Sequence, residues 1–209
     1  MIRLLLIEDH TILRESLALM LSKGTIKVVA HCASAFEAMK IIDQETLSCV
    51  LLDLSLPDRD GIELIKAIRL KKSGLPVLVL SMYPEEQFAL RALKAGASGY
   101  LNKSSPISTL TEAIEQASQG KKYITPAVAA VMANDLDSFR EGGGHEILSD
   151  REHQYMMWAA TGLTLTEIAE KMRVSPKTVS VYRARTLDKM KLPTTAALVS
   201  YAIKSGLTT

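Results

Sequence analysis

Three short apolar runs stop abruptly at polar residues, and this pattern restricts the fold more than any other feature of the chain. Ile2 to Ile7 is apolar except for Arg3 and stops at Glu8 and Asp9; Cys49 to Leu52 stops at Asp53; Pro76 to Leu80 stops at Ser81. Runs so short and so sharply bounded suit strands covered on both faces, as in parallel sheets. Between them, apolar residues recur at helical spacing, as in Ile12, Leu13, Leu17, Met20 and Leu21, and again in Ile62, Leu64, Ile65, Ile68 and Leu70. Strand and helix alternate five times up to about residue 118, which predicts an α/β domain over 1–120, a doubly wound parallel sheet with helices on both faces.

The rest of the chain has a different character. Gly120-Lys121-Lys122-Tyr123 reads as a turn, Pro126 opens a helix to about Asp137, and Glu141-Gly142-Gly143-Gly144 reads as a flexible stretch, so 121–144 is expected to be a linker. Beyond it come four helix signals and no strand signal. Ser149 with Glu152 and Thr164 with Glu167 have capping-box spacing, and Ser175-Pro176 places a cap before a proline at the first helical position. A small all-α domain over 145–209 follows. Charge separates the two halves: 13 Lys and Arg against 14 Asp and Glu over 1–120, but nine against six over 145–209. The basic half is the one suited to a polyanion. Two cysteines, Cys32 and Cys49, have neither metal-ligand spacing nor a disulfide framework, and the first apolar run is too short for a signal peptide or a membrane span. A cytoplasmic protein with no membrane partner is expected.

Ligands of open α/β sheets bind outside the carboxyl ends of the strands, where this pattern puts Glu8, Asp9, Asp53, Ser81 and Lys103. Each alone reads most simply as a cap, a turn residue or a solvated lysine; five of them at four strand ends do not. Carboxylates on adjacent residues and a third from another strand repel one another without a cation, and Mg²⁺, which takes oxygen ligands, is the expected cofactor. Asp53 can then accept a phosphoryl group as an acyl phosphate, with Lys103 and the Ser81 hydroxyl on its oxygens. His10, His31, His145 and His153 read as structural or solvated. In the helical domain, helices over Thr164–Met172 and Ser175–Met190 have helix-turn-helix form. Val179, Tyr182, Leu187 and Met190 share an inward face, and Lys177, Ser180, Val181, Ala184 and Asp188 lie opposite, flanked by Arg183, Arg185 and Lys189.

On these motifs the chain resembles the two-component response regulators of the NarL/FixJ subfamily. The resemblance runs through LLLIEDH, VLLDLSLPDRDGIELI, VLVLSMY, ALKAGASGYLNKS and the segment from Leu148 to Leu192. It implies a flavodoxin-like, five-stranded receiver and a four-helix LuxR-type helix-turn-helix domain. It implies that Glu8, Asp9 and Asp53 bind Mg²⁺ with the Ser55 carbonyl, that a histidine kinase phosphorylates Asp53, and that Ser81, Tyr100 and Lys103 form the switch. It puts Ser180, Val181 and Ala184 toward DNA bases, Lys177, Arg183 and Arg185 toward phosphates, and Thr178 in the same DNA-facing set. Leu198, Ala202 and their neighbours would join two copies on DNA, and RNA polymerase is a further candidate partner. Glu8 stands where Asp is commoner, Ser81 where Thr is frequent, and Ser104 where Pro often follows the lysine; Ser180 and Tyr182 stand where Lys and His are common, so base preference does not carry over. The expected function is a transcriptional regulator, not an enzyme, with the sign of regulation open. Two alternatives stay open at this point: a Mg²⁺-dependent phosphotransferase or phosphatase, and a constitutive DNA-binding protein with a vestigial receiver.

Overall fold

The computed structural model describes residues 1–22, 24–138, 144, 145 and 147–207. Most of the glycine-rich stretch expected as a linker, all but Gly144, lies outside the described residues. The chain forms two compact units, Met1–Met132 and Ala133–Thr209.

The first unit is built from β1 (Ile2–Ile7), α1 (Thr11–Leu21), β2 (Ile26–Cys32), α2 (Ala35–Gln44), β3 (Cys49–Leu52), α3 (Gly61–Lys71), β4 (Val77–Ser81), α4 (Glu85–Lys94), β5 (Gly99–Asn102) and α5 (Ile107–Ser118), and α6 (Pro126–Ser138) begins in it. All five strands are parallel, in the order β2-β1-β3-β4-β5. This is the flavodoxin-like order, whose reversal lies between β1 and β3. Helices cover both faces of the central strands: Leu4 to Ile7, Cys49 to Leu52 and Val77 to Val79 are essentially inaccessible. Burial depresses thiol ionisation accordingly, pushing Cys49 up to about 12 and Cys32 to about 11. Helical periodicity overstated what is covered. Leu17 and Leu21 of α1 are buried while Ile12 and Met20 face solvent, and Leu70 at the end of α3 is almost wholly exposed although Ile62, Leu64, Ile65 and Ile68 are buried.

The second unit contains α7 (Asp150–Ala160), α8 (Leu165–Met172), α9 (Pro176–Met190) and α10 (Thr195–Lys204). Both capping boxes form: Ser149 Oγ accepts from the Glu152 N–H while a Glu152 carboxylate oxygen accepts from the Ser149 N–H, and Thr164 and Glu167 do the same. Ser175 Oγ accepts from the Thr178 N–H at the head of α9. Two helices end on non-glycine residues in the left-handed region, Arg173 after α8 and Lys191 after α9. Among the described residues no helix is long and apolar enough to cross a membrane.

One glycine fixes the loop that follows β3. The Gly61 N–H donates to the Leu54 carbonyl, and a β-carbon at Gly61 would stand 2.5 Å from the Leu54 α-carbon. Backbone cannot yield as a side-chain tip can. Gly61→Ala should therefore lower the stability of the first unit by about 1–3 kcal/mol, read as an earlier urea transition in circular dichroism; an unchanged midpoint would show that the loop gives way freely.

Candidate metal centre and nucleic-acid interface

The carboxyl ends of β1 and β3 bring Glu8, Asp9 and Asp53 together, with one oxygen of each within 4.8 Å of the others. Glu8 and Asp53 are buried. Their charge is met by Lys103, which follows β5: its ammonium lies 2.7 Å from Glu8 Oε2 and 2.8 Å from Asp53 Oδ2, with only 9% of the lysine side chain exposed. A buried carboxylate pair without such a cation would be strongly destabilised. Four of the residues singled out from sequence therefore share one cluster at the edge of the sheet.

Around this cluster the backbone is held in place by neighbours. The His10 N–H donates to Glu8 Oε1 and the Ser55 N–H to Asp53 Oδ1. Arg14, which sequence reasoning passed over, donates from Nη1 to the carbonyls of Glu8 and Asp9. The loop after Asp53 is fastened at two points. Asp60 caps α3, accepting from the Ile62 and Glu63 N–H groups, and the two oxygens of Asp58 accept from the Ala35 and Phe36 N–H groups at the head of α2. The Asp60 cap has a sequence signal, an acid just before a helical pattern. The Asp58 contact joins residues more than twenty positions apart and has none.

Ser81 and Tyr100 form a second group beside the cluster. Both are fully buried. Ser81 Oγ accepts from the Tyr83 N–H, and the Tyr100 hydroxyl donates to the Tyr83 carbonyl at 2.9 Å. Burial holds the Tyr100 phenol far above its ordinary range, only partly offset by a hydrogen bond with Ser81, so the ring stays a neutral donor. The Lys103 N–H donates to the Ser81 carbonyl, which ties the lysine's backbone to the same strand end.

In the second unit, α9 buries Val179 completely and half-buries Tyr182, Leu187 and Met190, and it also buries Thr186, which the apolar pattern missed because its hydroxyl disguises an inward position. Lys177, Ser180, Val181, Arg183, Ala184 and Arg185 are exposed. Two of these and the half-buried Thr178 are already engaged: Thr178 hydrogen-bonds with Ser175 in the cap, Ser180 Oγ donates to the Pro176 carbonyl, and Arg183 Nε donates to Thr195 Oγ1. Lys189 is drawn inward to the buried Glu152 carboxylate at 2.6 Å. Leu198 and Ala202 need correction: both are completely buried within their own unit, so they cannot meet a second copy, and the face α10 leaves open carries Ala196, Ser200 and Ile203. His153 is buried on α7, and the ring of His145 hydrogen-bonds with the Tyr201 hydroxyl.

Residues 4–115 match the family described as response regulator receiver domain, and residues 146–202 match that of bacterial regulatory proteins, luxR family. The chain belongs to the response regulators. Its receiver precedes a LuxR-type DNA-binding domain, the arrangement of a transcriptional regulator of a two-component system. This regulator is 31% identical to the response regulator UvrY of Escherichia coli over 99% of its own length and 96% of that protein's. A solved LuxR-family two-component response regulator from an Aurantimonas species is 35% identical, with a TM-score of 0.60, covering 65% of this chain and 98% of that one. RcsB of Salmonella enterica, solved bound to a promoter with phosphomimetic beryllofluoride, shares the fold at 24% identity and a TM-score of 0.63, covering 96% of this chain and 97% of that one.

The Glu152 pair makes this regulator's output unit sensitive to acid. Burial opposes the Glu152 charge, but the Lys189 ammonium and the Ser149 donors outweigh it and hold the carboxyl below its ordinary 4.5. A lowered folded pKa contributes stability that is present above about pH 4.5 and is lost as pH falls through the folded value. Lys189→Met should cost about 2 kcal/mol at neutral pH and flatten the loss of stability below pH 4.5. Urea unfolding followed by fluorescence of Trp158, the single tryptophan, reads both; equal acid sensitivity in the variant would exclude the pair as its source.

Proposed function

We propose that Asp53 accepts a phosphoryl group from a histidine kinase in the cytoplasm, and that its phosphorylation raises the affinity of the second unit for promoter DNA. The observation that carries this reading is the Lys103 ammonium held between Glu8 and Asp53 at the carboxyl edge of the sheet. Such a group neutralises the carboxylate now and can follow an acquired phosphate later. The nucleophile is an Asp53 carboxylate oxygen: a bond from it to phosphorus forms as the bond from phosphorus to the kinase imidazole breaks, and the imidazole leaves with the electron pair. No reductant or oxidant is needed.

The donor set fits Mg²⁺. Three carboxylates with oxygens within 4.8 Å offer the hard ligands this ion prefers, and they already gather the charge of an ammonium. Glu8, Asp9 and Asp53 would hold it, together with the Ser55 carbonyl, and when bound it supplies charge neutralisation for the incoming phosphoryl oxygens. Lys103 and the Ser81 hydroxyl are the protein's own contacts to those oxygens. Tyr100 reads their movement through Tyr83, whose carbonyl it holds.

DNA recognition falls to α9, with Ser180, Val181 and Ala184 toward base edges and Lys177 and Arg185 as the phosphate contacts; Arg183 serves phosphate only after leaving Thr195, and Thr178 acts through the cap it forms with Ser175. Residues 121–144 connect a receiver over 1–120 to an output domain over 145–209. Two copies on a two-fold site, each placing one recognition helix in the major groove, account for specific binding, and RNA polymerase is the partner through which transcription would change.

Affinity for promoter fragments, measured with and without acetyl phosphate and Mg²⁺, tests this. Wild type should bind more tightly after modification, on the order of tenfold, while Asp53→Ala should not change. Verified modification of Asp53 with no change in affinity would sink the proposed coupling.

A further inference from the structure

The start of α6 is tied to the strand end that carries Lys103, and one carboxylate makes the tie. Thr125 precedes α6, and its Oγ1 accepts from the Val128 N–H at 3.3 Å, capping the helix while its carbonyl accepts from the Ala129 N–H. The Thr125 hydroxyl donates in turn to Glu85 Oε2. The other oxygen of Glu85 accepts from the Asn102 N–H at 3.4 Å, and Asn102 immediately precedes Lys103. Asn102 also donates from Nδ2 to the Tyr83 carbonyl, the same oxygen that holds the Tyr100 hydroxyl. Upstream of Thr125 the chain is docked independently: the Tyr123 N–H donates to the Ser98 carbonyl, and the approach at Gly99 is so close that a β-carbon there would stand 2.7 Å from the Tyr123 carbonyl oxygen. Val128 is buried. Segment 121–128 thus lies along β5, the edge strand of the sheet, and Glu85 is the side chain that joins it to the switch residues.

We propose that Glu85 is a positioning residue of the switch, fastening the N-terminus of α6 to β5 until phosphorylation of Asp53 moves Lys103 and Tyr83 and breaks the fastening. The proposal rests on the phospho-switch reading above. Glu85 suits the role for a reason of its own. It is the first residue of α4, and its two carboxylate oxygens accept from two separate donors, the Asn102 amide and the Thr125 hydroxyl. A shift at either donor is felt at the other. Because α6 is the first helix on the way to the DNA-binding unit, loss of its cap shortens or frees the connection on the side of the receiver.

Amide exchange of the peptide spanning 124–132, measured on the full chain with Mg²⁺ and with or without beryllofluoride, decides the matter. In the wild type, exchange should accelerate about fivefold on adding beryllofluoride, the effect of removing one helix cap. Thr125→Ala should show the fast rate in both conditions and Thr125→Ser should restore the wild-type difference, while exchange in β1 and β3 stays unchanged in all three. Glu85→Gln, which replaces one acceptor oxygen with a donor NH2, should behave as Thr125→Ala. Equal exchange with and without beryllofluoride in a wild type shown by mass spectrometry to respond at Asp53 to acetyl phosphate overturns the proposal alone; so does a full response in Thr125→Ala. A wild type that acetyl phosphate does not modify at Asp53 overturns the phospho-switch reading and this inference with it.

Discussion

A single ammonium group makes the carboxyl edge of this sheet tenable. Parallel strands end together, so any polar residues just past their ends are driven into one small volume whether or not their charges agree. Here that volume holds Glu8, Asp9 and Asp53, all of one sign, two of them buried. Lys103 arrives from the other side of the sheet, across β4, and places its charge between Glu8 and Asp53. The fold tolerates the acids because it also delivers their counterion, from the residue that follows β5. Asp53 and the end of β5 are thereby joined by a direct contact.

The backbone around the cluster is held at several points. Arg14 fixes the carbonyls after β1, Asp58 fixes the loop after β3 to α2, and the close approach of Gly61 to Leu54 leaves that loop no slack. These restraints all lie on the β1 and β3 side. On the β4 and β5 side the Tyr100 hydroxyl and the Asn102 Nδ2 both donate to the Tyr83 carbonyl, the Asn102 N–H donates to Glu85, and the Lys103 N–H donates to the Ser81 carbonyl.

Sequence alone exposed β1, β3 and β4, the parallel arrangement and the four charged residues of the cluster, because each of these strands is a short apolar run and then a polar stop; β2, with Lys27 and His31 inside it, and the four-residue β5 carry no such run. Helix starts were equally plain, since a capping box is written in residues three apart. What stayed hidden depends on neighbours distant in sequence. Thr186 is as buried as Val179 but carries a hydroxyl, so a hydrophobicity pattern discards it. Leu198 and Ala202 are apolar on a short helix, and nothing local distinguishes a face turned to the bundle core from one turned to a second copy. Lys189 reads as a solvated cation until the Glu152 carboxylate across the bundle is placed beside it.

The two units use the same physical device for different ends. In the first, a lysine from a late element neutralises buried acids of earlier strands; in the second, Lys189 of α9 neutralises Glu152 of α7. The acids differ in what else they hold. One Glu152 oxygen, Oε2, serves structure twice: it accepts from the Ser149 N–H to close a capping box and binds Lys189, so its charge is committed to fixing α9 against α7. Asp53 is held only by the Ser55 N–H and by Lys103 among its described contacts, and neither bond is needed to end its strand. For the phosphoryl transfer proposed above, Asp53 is the better suited of the two, because a phosphate could take over both of its contacts whereas those of Glu152 are committed to structure.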